Sequence, residues 1–190
     1  MKKKGLALVL ALTLVVVGIV SGTLAWLTDK SDTVVNTFTT SDITVKLEET
    51  KGTVSGSNRE FKMVPGCDLE KDPKAWVESG SEDCYLFVKL EKSTNFDTYM
   101  TYTIANGWTP LTGVDGVYYR KVMKSQMGES SKFEVLAGNK VSVKGTFTKA
   151  DMNSLTTTTY PTLTITAYAS QLYKSAGVEF TVAEAWANIQ

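Results

Sequence analysis

Beyond its first forty positions, this chain alternates apolar and polar residues with a period of two. Ile43, Val45 and Leu47 alternate with Thr44, Lys46 and Glu48. Cys84, Leu86, Val88 and Leu90 fall on one face of a run whose other face holds Tyr85, Phe87 and Lys89. Val141, Val143 and Phe147 repeat the pattern, as do Leu163, Ile165, Ala167 and Ala169. Successive side chains of a strand point to opposite sides, so each run predicts a strand with one face turned to a core. Further strands are expected over residues 99–105, 117–122 and 132–136.

Turn chemistry separates these runs: Gly52, Gly56-Ser57-Asn58, Ser79-Gly80-Ser81, Asn106-Gly107, Asp115-Gly116 and Gly138-Asn139. Thr156 to Thr159 is a short polar run approaching a strand. Two capping patterns interrupt the strands. Thr148 with Asp151 caps one short helical turn, and Thr181 with Glu184 forms a capping box ahead of Ala185, Trp186 and Ile189. The second helix is expected to lay Trp186 on the sheet. Many short strands with polar turns predict an all-β protein, a jelly-roll-like β-sandwich with a few short helices.

The first forty residues follow another pattern. Lys2, Lys3 and Lys4 open the chain, Leu6 to Val20 is almost wholly aliphatic, and Ser21-Gly22-Thr23-Leu24-Ala25 follows with small residues. Basic, then apolar, then small is the layout of a signal peptide, a helix removed on export. Thr23 and Ala25 occupy the two small-residue positions before the cut, and the mature chain then starts at Trp26. The competing reading is a retained membrane helix, because Gly5 to Leu27 holds 23 uncharged residues and about 20 can span a bilayer. The small-residue end and the lack of a basic stop favour cleavage. The chain thus divides into a signal peptide (1–25), a strand-forming arm (26–40) and a β-sandwich, or jelly-roll, domain (41–190).

Charge and chemistry narrow the function. Removing the first 25 of 190 residues leaves 165, and takes away three of the 20 basic residues and none of the 20 acidic ones, for a net charge of −3. A mildly acidic domain is not a nucleic-acid binder, whose phosphate contacts need a basic face. The chain has no histidine, which removes HExxH zinc sites, Ser-His-Asp triads and Cys-His dyads together. Paired carboxylates are formally open to hydrolytic chemistry, but solvated surface acids are the simpler reading. Asp29, Asp32 and Asp42 lack the close spacing that wraps oxygens round calcium. The tyrosines and tryptophans read as core and cross-strand pairs rather than as a sugar-binding platform. The reading is therefore of a protein with no catalytic residues, no cofactor and no metal. Export would allow Cys67 and Cys84, the only cysteines, to form a disulfide tying the Pro65-Gly66 turn to the strand at residue 84. Two free, buried thiols are the alternative.

Several segments together resemble the TasA/camelysin family of Gram-positive secreted proteins. These are GTLAWLTD (22–29), Asn36-Thr37-Phe38-Thr39, ITVKLEE (43–49), Pro65-Gly66, Lys71-Asp72-Pro73 and Asp83-Cys84-Tyr85, then Ala167-Tyr168-Ala169-Ser170-Gln171 and Glu184-Ala185-Trp186. The resemblance implies a signal peptide cut by a SipW-type peptidase, and a jelly-roll subunit of biofilm-matrix fibres at the cell surface or in the extracellular matrix. Its partners would be further copies of itself and an anchoring or accessory matrix protein. It also implies that the arm leaves its own domain to complete the sheet of the next subunit, with Trp26, Leu27, Val34, Val35 and Phe38 as anchors. Camelysins are also classed as metallopeptidases, a role at odds with a chain lacking histidine. A surface adhesin or binding module is the third reading.

Overall fold

The computed structural model describes residues 42–55 and 58–189. The signal-peptide positions Thr23, Ala25 and Trp26, the alternative membrane helix, and the arm residues Leu27, Val34, Val35 and Phe38 all lie outside that range. Residues Thr40–Gln190 belong to one compact unit. Its strands in chain order are β1 (Val45–Glu48), β2 (Thr53–Ser55), β3 (Asn58–Glu60), β4 (Asp68–Glu70), β5 (Lys74–Val77), β6 (Cys84–Lys92) and β7 (Met100–Thr101). They continue with β8 (Thr109–Pro110), β9 (Val117–Val122), β10 (Phe133–Glu134), β11 (Lys140–Val143), β12 (Leu163–Gln171), β13 (Tyr173–Ser175) and β14 (Val178–Glu179). Short helices cover Phe96–Tyr99, Lys149–Asn153 and Val182–Ala187. The unit is all-β, as expected.

The strands form several small sheets. The largest has the order β12-β6-β9-β8; two three-stranded sheets run β1-β5-β10 and β4-β11-β7, and β2-β3 and β13-β14 are hairpins. Every pairing is antiparallel. In β6, Cys84, Leu86, Val88 and Leu90 enter a core shared with Ala75 and Val77 of β5, Val141 and Val143 of β11, and Val135 and Leu136. Leu163, Ile165, Ala167 and Ala169 of β12 join the same core, partly exposed. The opposite face of β6 is also covered. Tyr85 and Phe87 belong to a second cluster with Leu111, Val117, Leu172, Ala185 and Trp186. Leu86, Phe87 and Val88 are fully buried in succession, each burial worth about 1.5–3 kcal/mol.

The C-terminal helix builds that second cluster, and its start is written locally. The Thr181 hydroxyl accepts from the Glu184 N–H, and the Glu184 carboxylate accepts from the Thr181 N–H at 2.8 Å, closing the predicted capping box. The helix sets Trp186 5.2 Å from the Phe87 ring and edge-on to Tyr168 at 5.5 Å, centroid to centroid. The Tyr85 hydroxyl donates to the Phe180 carbonyl at 3.0 Å, tying the incoming loop to β6. Thr148 and Asp151 close the other expected box.

Several expectations need correction. The run 99–105 is not one strand: Phe96–Tyr99 is helical, β7 has two residues, and Ile104 makes an isolated bridge to Leu136. Phe147 lies outside β11, in the approach to the Thr148 cap, with its ring stacked on Tyr99. Leu47 is 37% exposed, because β1 lies at a sheet edge. Residues 132–136 yield only the two-residue β10, whereas 117–122 is β9 as expected. Glycine matters most at Gly116, where φ is +73° and an added Cβ would lie 2.4 Å from the Leu90 carbonyl oxygen.

Trp186→Ala should destabilise the fold by about 3–5 kcal/mol in urea titrations, and Thr181→Ala by about 1 kcal/mol. A loss below 1 kcal/mol for Trp186→Ala would show that the second cluster contributes little to stability.

Candidate functional site

The cysteines are both free, Cys84 buried and Cys67 exposed. This corrects the expected disulfide, and also the alternative of two buried thiols. Cys84 opposes Val122 and Gln171 across the sheet, with its side chain in the main core. Cys67 is held elsewhere: its N–H donates to the Val64 carbonyl and its own carbonyl accepts from Val143 N–H at 2.9 Å. The two ladders fix these positions independently, and the thiols point into different surroundings. Burial, helped by the charge of Asp83, pushes the Cys84 thiol up to about 12.

Asp72 is the one buried carboxylate among the described residues. Its oxygens accept from the N–H groups of Thr50 and Lys51, both at 2.9 Å, and from the Thr50 hydroxyl at 2.5 Å. Burial pushes its pKa up, but the Thr50 hydroxyl and those N–H groups outweigh burial and hold it below the usual carboxylate value. Next to it, the Lys71 ammonium is 2.8 Å from the Glu49 carboxylate. Both contacts pin the segment after β1 to the end of β4. With its oxygens committed in this way, Asp72 is a loop clamp rather than an acid–base group.

Arg120 on β9 presents a different chemistry. Its guanidinium carbon lies 3.6 Å from the Phe133 ring centroid and 5.4 Å from that of Trp108. Trp108 is itself fixed by an indole N–H donated to the Glu134 carbonyl at 2.7 Å. Arg120 Nε is buried without a hydrogen-bond partner, and burial lowers the guanidinium pKa. Cation–π stacking therefore holds Arg120 in place between β9 and β10.

Two shallow depressions mark the surface. One, about 490 Å³, is lined by the β13–β14 hairpin, Tyr173 to Gly177. The other, about 520 Å³, is lined by Lys46, Trp76, Glu78, Ser79, Gly128 and Glu129. In the second, Glu78 pairs with Lys46 at 3.5 Å and Glu129 with Lys132 at 3.0 Å, while Lys132 also caps the Trp76 ring at 4.5 Å. These carboxylates are neutralised by lysines and are not poised as a catalytic pair. Trp76, Trp108 and Trp186 are buried, which removes them from any sugar-binding platform.

The sheet edges carry the feature best suited to recognition. Edge strands expose unpaired N–H and C=O groups, and proteins blunt them by shortness, charge or proline. β8 has two residues and ends in Pro110; β7 and β10 have two each, β4 three, and β1 four with Lys46 and Glu48 in it. The hairpin strands have three or fewer. β12, at a sheet edge among the described residues, runs for nine residues, LTITAYASQ, without one charged side chain. Its alternation was legible in the sequence; its place at an edge was not. Comparison with protein-family profiles, curated proteins and solved structures finds no match to this chain.

Ellman's reagent at pH 8 should titrate Cys67 rapidly in the native protein and Cys84 only after denaturation. The pH dependence has a definite sign. The unfolded thiol ionises near the ordinary value of 9.0 and the folded Cys84 only near 12, so its contribution to stability is intact below pH 9 and is lost progressively above it. Cys84→Ala should flatten the alkaline decline in urea midpoint; an unchanged decline would assign it to other groups.

Proposed function

We propose that this chain is a secreted structural protein that polymerises into extracellular, biofilm-type fibres by adding its N-terminal arm, residues 26–40, as a strand to the next subunit. The observation that carries this reading is the nine-residue, uncharged strand β12, which among the described residues has a ladder partner on one side only, in an all-β unit whose other edges are short or charged. The sequence supports it at the other end of the chain, where a small-residue cleavage motif precedes a strand-prone segment. The finer fold assignment, a jelly-roll β-sandwich, belongs to the same proposal. So do a SipW-type peptidase cutting between Ala25 and Trp26, and an anchoring or accessory matrix partner.

Strand addition has suitable energetics for assembly. Each backbone hydrogen bond gained contributes roughly 0.5–1.5 kcal/mol net, and burial of Phe38 or Trp26 in a neighbour adds about 1.5–3 kcal/mol apiece. Asp29, Lys30, Ser31 and Asp32 interrupt the apolar pattern of the arm. Few anchors then hold it in any one place, and exchange between subunits costs little.

Intact mass of secreted material should place the N-terminus at Trp26. Electron microscopy should show fibres for that chain and none for the variant lacking residues 26–40, which stays a soluble β-rich monomer. Phe38→Asp should slow assembly while leaving the urea midpoint nearly unchanged. Wild-type fibres from the deletion variant would refute the mechanism.

A further inference from the structure

We infer that Arg120 is a carboxylate-binding site, taking one carboxylate through the two terminal nitrogens of its guanidinium. Three segments distant in the chain build it. Arg120 stands on β9 opposite Leu86 of β6. The Asn106-Gly107 turn leads through Trp108 into β8, which pairs with β9 at Thr109↔Tyr119. Phe133 opens β10. Two hydrogen bonds lock the turn to this third segment: Ala105 N–H donates to the Val135 carbonyl at 3.0 Å, and the Trp108 indole N–H to the Glu134 carbonyl at 2.7 Å.

These ties cover the faces of the guanidinium and leave its end open. The Phe133 ring takes one face, with its centroid 3.6 Å from Cζ, and Trp108 lies 5.4 Å away. Gly107 takes the other face. A Cβ there would stand 3.1 Å from Nη2, 3.4 Å from Cζ and 3.5 Å from Nη1, distances that put it above the plane. Guanidinium N–H groups donate within that plane, so neither wall can satisfy them. Among the described residues Arg120 makes no hydrogen bond or ion pair. Its Nε is buried without an acceptor, whereas Nη1 and Nη2 keep contact with solvent.

Charge points to the class of ligand. Every ion pair of the described residues uses a lysine. Lys121 and Lys132, the chain neighbours of Arg120 and Phe133, are engaged by Glu179 and by Glu48 and Glu129. The Glu134 carboxylate accepts from Asn139. Arg120 is left as a single uncompensated cation with its orientation fixed before any ligand arrives. Its two parallel end N–H groups match the two oxygens of a carboxylate. One positive charge suits a monoanion better than a phosphate, which carries nearly two charges at neutral pH. A soluble acid and an acidic side chain of a second copy offer the same group.

Arg59 and Arg120 are the only arginines, so side-chain nitrogen–proton NMR on the chain from Trp26 onward gives one signal set for the site and one internal control. At about pH 6, where acetate is ionised, acetate should move the Arg120 signals saturably, with a midpoint on the order of 1–10 mM. Chloride at equal ionic strength should not, and Arg59 should stay put. The Trp108 indole signal should follow Arg120. In Arg120→Lys, which keeps the charge and loses the fork, that indole response should fall by on the order of tenfold. The wild-type spectra decide even if the variant misfolds. A shift on raising protein concentration without acetate supports the site and assigns its carboxylate to a second copy; a shift with acetate alone assigns it to a soluble acid. No saturable shift in either arm would overturn the inference. So would an equal response to chloride, which is screening, or a tighter response to phosphate than to acetate. Terminal N–H groups of Arg120 already protected from exchange in dilute, acetate-free protein would reveal an acceptor in its own chain and overturn it too.

Discussion

Burial of both faces of β6 is the constraint on which the rest of the architecture depends. A strand of nine residues with Leu86, Phe87 and Val88 fully buried in succession cannot be covered by one layer. Its even positions need β5, β11 and the residues around Val135, and its odd positions need the Trp186 helix. The two clusters lie back to back through one backbone, so anything that shifts β6 disturbs both. The capped helix is part of this arrangement: without Trp186, the rings of Phe87 and Tyr168 would lose their cover on that side.

Polar contacts then set the loops. Asp72 closes the segment after β1 with bonds to Thr50 and Lys51, and Trp108 ties itself to the Glu134 carbonyl. Arg120 is held between Phe133 and Trp108 by stacking, with its Nε unpaired. Burying a charged group this way costs free energy that an ion pair would offset, and the aromatic walls recover part of it. These ties stiffen the middle and one end of the unit. Among the described residues, β12 has a ladder partner only in β6, with β1 packed nearby without a ladder.

The legibility of this structure from sequence follows the range of the interactions involved. Capping boxes at Thr148 and Thr181 are complete within four residues, so their residue types alone specify them. The alternation in 84–90, 117–122 and 163–169 is likewise local, and it marks strands and faces correctly. β5 was invisible to period-two reasoning, because Ala75, Trp76 and Val77 are all buried and no polar face interrupts them. The segment 99–105 misled for a related reason: aromatic and β-branched residues packing from a turn and a bridge look the same as those of a strand.

Partnerships between distant positions were decided only by the tertiary structure. Spacing allowed Cys67 and Cys84 to meet, yet Cys84 sits inside the β12–β6–β9 ladders while Cys67 lies just before β4, bound to Val143, and both thiols are free. The sequence 163–171 determined an uncharged strand with Leu163, Ile165, Ala167 and Ala169 on one face. Whether that strand was central or lateral depended on what β6 accepted on each side. β9 took one side and β12 the other, and no described strand forms a ladder on the far side of β12. Local pattern sets which way a side chain points; only the packed sheet sets whether its backbone has a neighbour.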